Sequence, residues 1–324
     1  MRKLEYREAL REAVIEEMER DGSIFLIGED MGVKGGAYGV YKGLMDRFGP
    51  ERVISTPISE ITIAGSAVGA ALTGQRPVAE IHSVDFTTLA LDQIVNQAAK
   101  LKLISGGRID VPLVIRTQGG TGRRVAAQHS QSLEAWFYHI PGLKLVMPAT
   151  AYDAKGLLKS AIRDDGPVVF IEHKMLYGTA GDVPEEEYLI PLGKADIKRQ
   201  GKDITLVTYS RMVFRALEAA GDLDREGISC EVIDPRTLVP LDIDCITESV
   251  NRTGRLMVVT ESCRRGSVAS DISATVTAGC FHKMKAPPAI VAGLDTPIPY
   301  NALLEDASVP GVTDIREAAR NLVK

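Results

Sequence analysis

The apolar positions along this chain switch repeatedly between two periods. Residues 5–20 (EYREALREAVIEEMER) place Leu10, Ala13, Val14 and Met18 at helical spacing, with the acidic Glu17 interrupting the stripe. SIFLIGED then reads as a short apolar strand and GVKGGAYGVYKG as a glycine-rich loop. RVISTP predicts a strand, 60–73 a helix, RPVAEIHS a strand and TTLALDQIVNQAAKLKLI one long helix. VPLVIRTQ, LKLVMPA and PVVFIEHK are further strands, separated by helices in LEAWFYHI and AYDAKGLLKSAIRDD. These strands are apolar almost residue after residue, the pattern of a parallel sheet covered by helices on both faces.

The alternation breaks near 177–203, which is charged, carries prolines and lacks a long periodic run, so a linker is expected there. A second alternation follows. DITLVTYS, SCEVID, RLMVVTES and PPAIVAGLD predict strands, with helices in 211–225, 242–252, 267–280 and 313–323. The expected fold class is α/β with two doubly wound domains, over 1–185 and 186–324. A length of 324 residues agrees with roughly two domains.

Composition mainly removes alternatives. The net charge of -5 gives no basic footprint, so neither nucleic acid nor an anionic membrane is an expected partner. MRKLEYREALREAVIEEMERDG is charged throughout and has no apolar core of a secretory signal. The apolar stretch 61–74 is rich in glycine, alanine and threonine and too short to span a bilayer. Cys230, Cys245, Cys263 and Cys280 lie far apart with no CxxC pair, which predicts reduced thiols and a cytoplasmic location.

The obvious chemical motifs are missing. There is no GxGxxG and no GxxxxGK[ST]; GGTGRR at 119–124 precedes another loop, not a helix. The five histidines show no i,i+4 ligand pairing and no GxSxG occurs. Three features remain, each just after a predicted strand, where open parallel sheets bind ligands. The first is Glu60, the only charge in TPISEITIAGSAVGAALTG. It reads either as a solvated first-turn carboxylate, worth about 0.3–1 kcal/mol against the helix dipole, or as a buried acid. Burial pushes a carboxyl up by as much as about 3–5 pKa units. The glycines of this helix each cost about 1 kcal/mol, so a close approach by another backbone is expected there. The second feature is AEIHSVDF, carrying His82, Asp85 and Phe86, and the third is His129 in AAQHSQSLEAWF.

TPISE-x5-G-x3-GAA, AEI-x4-F-x5-DQIVNQAAK, AAQHSQSLEAWF, PGLK-x2-MP, DAKGLLKSAIRDD and GDVPEEEYLIPLGKADI together make the chain resemble a known family. It is the β subunit of the thiamine-diphosphate-dependent E1 component of 2-oxo acid dehydrogenase complexes, of the pyruvate or acetoin dehydrogenase type. The resemblance covers nearly the whole chain and implies a pyrimidine-binding domain followed by a transketolase C-terminal-like domain. It implies that Glu60 shares a proton with the aminopyrimidine ring nitrogen of thiamine diphosphate. It implies that His129 serves proton transfer or orientation at the substrate, and that Ile58, His82 and Phe86 line the pyrimidine pocket. Arg123 and Arg124 read equally as contacts to a substrate carboxylate or acidic partner and as a solvated loop pair. In some relatives the segment matching AIRDDGP holds a potassium ion; Ala161, Ile162 and Asp164 match its ligands, while an asparagine position of relatives is Gly166 here.

Related enzymes hold Mg²⁺ and the diphosphate through GDG followed by NN, and this chain has no GDG. The resemblance therefore implies half an active site, completed by an α subunit that holds the Mg²⁺ in an α₂β₂ assembly. A second β subunit and an E2 lipoyl acyltransferase are the other implied partners. The reaction implied is oxidative decarboxylation of pyruvate, or cleavage of acetoin, with reductive acylation of a lipoyl group. The alternatives are the branched-chain 2-oxo acid branch and a transketolase-type enzyme split into two chains.

Overall fold

The computed structural model describes residues 1–32 and 34–324; Val33, within the predicted glycine-rich loop, lies outside the described residues. The chain divides into two compact units, Met1–Gly119 with Trp136–Leu192 and Gly120–Ala135 with Gly193–Lys324.

In the first unit the strands are β1 (Arg2–Glu5), β2 (Ile24–Glu29), β3 (Val53–Thr56), β4 (Arg76–Ile81), β5 (Val114–Gly119), β6 (Lys144–Val146), β7 (Val168–His173) and β8 (Ala180–Val183). Six of them run parallel in the order β6-β7-β5-β4-β2-β3. The helices are α1 (Tyr6–Arg20), α2 (Leu44–Phe48), α3 (Glu60–Leu72), α4 (Leu101–Ile104), α5 (Glu134–Tyr138), whose first two residues are counted with the second unit, and α6 (Ala151–Arg163). Val78 of β4 and Val114 of β5 are fully or almost fully buried, as a strand covered on both faces requires. Thr150 caps α6 by accepting from Asp153 N at 3.1 Å.

Glu17, the acidic interruption of the α1 stripe, is fully buried. Both its oxygens accept from Arg163 Nε of α6, at 3.0 and 2.9 Å, and Arg20 Nε donates to Oε2 at 2.7 Å. Lys155 of α6 extends the same seam by donating to Glu12 and Glu16, each at 2.7 Å. Burial of these charges is offset because each is paired and hydrogen-bonded.

Two expectations are corrected here. The segment read as one long helix is a 3-10 stretch (Val84–Ala90), a π-helical stretch (Asp92–Ala98) and the short α4. The widened turn shows in the bond from Ala99 N to Ile94 O at 3.1 Å, a step of five residues. Apolar spacing marks a buried helical face but is blind to which carbonyl the amide selects. Likewise, residues 180–183 within the expected linker form β8, paired antiparallel with β1. A short strand at a sheet edge needs no alternation strong enough to see.

The second unit carries β9 (Asp196–Arg199), β10 (Ile204–Val207), β11 (Cys230–Asp234), β12 (Thr237–Val239), β13 (Leu256–Cys263) and β14 (Ala289–Gly293). Five form a sheet in the order β14-β13-β10-β11-β9, with β9 antiparallel at the edge. Around it lie α7 (Met212–Asp224), α8 (Ile243–Thr253), α9 (Val268–Cys280), α10 (Ala302–Ala307) and α11 (Val312–Val323). All four cysteines are free. Burial pushes the Cys230 thiol up to about 12.

Candidate active site

Parallel strands deliver their last residues to one edge of the sheet. Register places Glu29 beside Thr56 and Ile81 beside Thr117. Glu60 opens α3 directly beyond β3, and His82 follows β4. This edge of the first unit is therefore lined by polar side chains.

Glu60 is only 7% exposed. Of the two readings the sequence left open for it, a solvated residue and a buried acid, the burial matches the second. Helix α3 packs on β4 and on the 3-10 stretch that carries Phe86. Phe86 and His82 are half-buried. His82 Nδ1 lies 2.8 Å from Gln118 Oε1, and its ring stands edge-on to Tyr38 at a centroid distance of 5.6 Å. Glu60, His82 and Phe86 are thus carried on elements that meet at one edge. Ile58 is different: it is 77% exposed, beside Ile61 at 52%.

The sequence reading missed Glu29, the last residue of β2. Its own burial, then the negative charge of Glu60, push its carboxyl above the ordinary range, while His82 pulls the other way. An acid closing an apolar strand was the available signal, hidden because one charge after a strand is common. The folded chain binds this proton more tightly than the unfolded chain. Glu29 therefore costs stability as pH rises from the ordinary carboxyl value of 4.5 through the raised one. Glu29→Gln is expected to raise the melting temperature near pH 8 and to lose that advantage below about pH 4. Parallel melting-temperature curves for the two proteins between those limits would refute this.

Buried polar atoms without a protein partner gather at this edge: Glu29 Oε1, Thr56 Oγ1, Thr117 Oγ1 and Gln118 Nε2. Such atoms are uncommon in folded proteins and mark places where something else supplies the bond. Two carboxyl groups, an imidazole, an amide donor and a phenyl ring form a set that fits a flat heteroaromatic with ring nitrogens and an amino group. An aminopyrimidine is of that kind.

Below this edge, Arg116 of β5 is fully buried. Its Nε and Nη2 each donate to one oxygen of Glu172 at 2.6 Å, and Nη1 donates to Glu80 at 2.9 Å and also to Tyr41. Tyr177 donates to Glu172. Burial pushes Glu172 up, and Arg116 pulls it back.

His129 belongs to the second unit and is exposed there. Its loop is tied down by acids. Thr121 donates N and Oγ1 to Glu261 at 2.6 and 2.8 Å, and Gly122 N donates to Glu305 at 2.6 Å. Arg124 bonds Glu305 and Asp306, each at 2.8 Å, so it anchors the loop inside the unit and is not held ready for a substrate. Arg124 and Ala126 sit at φ of 59° and 63°. Left-handed backbone at non-glycine residues is sparsely populated and collects at functional sites. Gln128, Ser130 and Gln131 line a cleft of about 440 Å³ together with Glu261, Ser262 and Cys263.

Ala161, Ile162 and Asp164 do come together, at the end of α6 and the opposite, amino edge of the sheet. Their oxygens accept from protein donors. Arg76 Nε and Nη2 reach the Ile162 carbonyl at 3.0 and 2.9 Å, Asp164 N reaches the Ala161 carbonyl at 3.3 Å, and Lys144 reaches the Asp164 carboxylate.

Among the described residues no helix is long and apolar enough to cross a membrane. Residues 2–179 match the family model described as transketolase, pyrimidine binding domain, and residues 193–315 the one described as transketolase, C-terminal domain. The chain is 50% identical to the acetoin:2,6-dichlorophenolindophenol oxidoreductase subunit beta of Cupriavidus necator, over all of this chain and 98% of that protein. It is 48% identical to the pyruvate dehydrogenase E1 component subunit beta of Rickettsia conorii, over 98% of this chain and 97% of that one. The corresponding subunit of Rhizobium meliloti is 47% identical over 97% of this chain and 68% of its own length. Among solved structures, a chain described as split gene transketolase, inactive beta4 tetramer, superposes with a TM-score of 0.78. It covers 98% of this chain and 97% of that one at 24% identity, a likeness of fold alone. The chain therefore belongs to the family of β subunits of thiamine-diphosphate-dependent E1 components, of the pyruvate and acetoin dehydrogenase type.

Proposed function

We propose that this chain supplies the pyrimidine-binding half of a thiamine-diphosphate site that decarboxylates pyruvate or cleaves acetoin and acylates a lipoyl group on E2. The observation that carries this reading is Glu60, buried at the head of α3 and near a second acid, Glu29, whose carboxyl its charge helps push up. The bound cofactor supplies the electron sink for carbon–carbon cleavage. Glu60 holds a proton at its carboxyl for a ring nitrogen, a general acid–base task. Glu29 lies near enough to Glu60 for the charge of Glu60 to push its carboxyl up. His82 and Gln118, whose amide nitrogen has no protein partner, orient the aminopyrimidine, and Phe86 with Ile58 borders the ring. His129 handles the proton of the substrate or of the departing acyl group, a task an imidazole can perform as acid or base.

With pyruvate, the carboxylate leaves as carbon dioxide. The electron pair it leaves behind reduces the lipoyl disulfide, one sulfur taking the acetyl group and the other a proton. With acetoin, the same acyl transfer accompanies release of acetaldehyde.

The rest of the site comes from an α subunit, which holds Mg²⁺. Two surface features support such a partner. Ile58 and Ile61 are large apolar side chains exposed beside a buried acid. Gly65 of α3 meets Gln93 of the π-helical stretch, 3.5 Å from where a Cβ would stand, but Gly69 is exposed with nothing within 4 Å, so at Gly69 no close approach is made within this chain. The assembly is α₂β₂ with a β–β contact, docked on E2 in the cytoplasm. The test is to co-express the chain with its α partner and assay pyruvate, acetoin and 3-methyl-2-oxobutanoate with a lipoyl domain as acceptor. Acyl-lipoyl formation from pyruvate or acetoin is expected. Preference for the branched substrate would move the protein to that branch. Ketol transfer to an aldose with no acyl-lipoyl product would overturn the assignment.

A further inference from the structure

The strand order of the second sheet creates a crevice. From β10 the chain crosses to β11 on one side, and from β11 it returns past β10 to β13 on the other. Open parallel sheets take their ligands outside the carboxyl ends of strands at such a reversal. Tyr209, Ser210 and Arg211 follow β10 there, and Glu261 and Ser262 lie near the end of β13.

In this chain the place is taken by the chain's own segment 120–135. Thr121 gives its N–H and its hydroxyl to Glu261, and Arg211 Nη1 donates to the Thr121 carbonyl at 3.3 Å. Tyr209 donates to Glu134 at 2.9 Å, which ties the far end of the segment. Gly122 N and Arg124 Nη1 converge on Glu305 of α10, at 2.6 and 2.8 Å. Glu261 and Glu305 are both buried. Bonds from backbone amides to a carboxylate are charge-assisted, about twice as strong as neutral ones. The loop is closed at its base, where Gly120 N donates to the Gln131 carbonyl at 2.9 Å, and His129 N donates to the Ala126 carbonyl at 3.3 Å. Between the acids and His129 the backbone turns through the left-handed Arg124 and Ala126, a conformation that persists where surrounding contacts impose it.

We propose that Glu305, together with Glu261, is a positioning residue for His129: the two buried acids fix the loop and so set where the imidazole stands. This rests on the role proposed for His129 and goes beyond it, because it gives the second unit a share in the reaction.

Glu305→Gln keeps the size of the side chain but turns an amide donor toward either Gly122 N–H or Arg124, which both need an acceptor. In the enzyme assembled with its α subunit, acyl-lipoyl turnover is expected to fall about 10- to 100-fold, the cost of a group misplaced by about an ångström. Hydrogen exchange at the Gly122 amide is expected to quicken, and the dissociation constant for thiamine diphosphate, measured by calorimetry, to stay the same. The deciding measurement repeats the substitution on His129→Ala. A residue that acts through His129 has nothing left to act on there, so the double variant is expected to stay within about twofold of His129→Ala alone. Equal losses from Glu305→Gln in both backgrounds, or no loss in either, overturn the inference and leave the role of His129 standing. Unchanged exchange at Gly122, or a loss of turnover matched by weaker cofactor binding, also overturns it. Normal turnover in His129→Ala overturns the role of His129 and the inference with it. If Glu305→Gln does not fold, Thr121→Val, which removes one bond to Glu261 and keeps the shape, goes through the same cycle. A smaller loss that vanishes beside His129→Ala is then expected, and a loss that persists there overturns the inference.

Discussion

Glu60→Gln lowers turnover of the enzyme assembled with its α subunit by about 10²- to 10⁴-fold, the usual worth of a positioned proton-transfer group. The substitution keeps the shape of the side chain and removes the ionisable proton. Glu60 is 7% exposed and sits on a helix whose buried face is made by Ile63, Ala64, Ala67 and Val68. An amide of equal size disturbs neither, so the melting temperature and the assembly are expected to hold. Steady-state kinetics, size-exclusion chromatography and a cofactor titration separate the effects. An assembly defect with unchanged turnover per assembled site would show that Glu60 acts through structure.

Arg116→Met is the second large effect, and it falls on stability. The guanidinium is fully buried and holds Glu80 and Glu172, which are 4% and 0% exposed. Removing one member of a buried charge group leaves uncompensated charge and costs about 3–5 kcal/mol. For a unit of this size each kcal/mol lowers the melting temperature by about 2–4 °C, so a fall of about 6–20 °C is expected. With Arg116 gone, only the hydrogen bond from Tyr177 offsets the burial that already pushes Glu172 up. The variant should therefore recover part of its stability on mild acidification, as the stranded carboxyl takes a proton. Adding Glu172→Gln should recover part of it at neutral pH. A double variant no better than the single one would mean the loss is packing, not charge.

Arg116 also shows where sequence reading stops. VPLVIRTQ is a strand by its apolar run, and the structure has it as β5. Nothing in that run says that its one cation meets acids from β4 and β7. Strand order decides that, and strand order is a property of crossovers between distant segments. Glu17 teaches the same lesson on a helix. Its place in an apolar stripe looked like an interruption, and Arg163, far along the chain, resolves it.

The segment matched for potassium stops at a similar point. Ala161, Ile162 and Asp164 were legible as a matched segment, but not that Arg76 and Lys144, from the starts of two other strands, reach the Ile162 carbonyl and the Asp164 carboxylate. A motif carries its own residues and is silent about a donor brought in by the sheet.

By itself, the sequence determined the alternation of strands and helices, two α/β halves, the family, and Glu60 as the acid to examine. It could do so because periodicity and motifs are local, written in residues a few positions apart. Only the tertiary structure decided that Glu60 is buried, that its charge acts on Glu29, that Arg116 is ringed by acids and that Lys144 reaches Asp164. Those are contacts between strand ends far apart in the chain, and burial, charge and proton affinity depend on what is brought alongside.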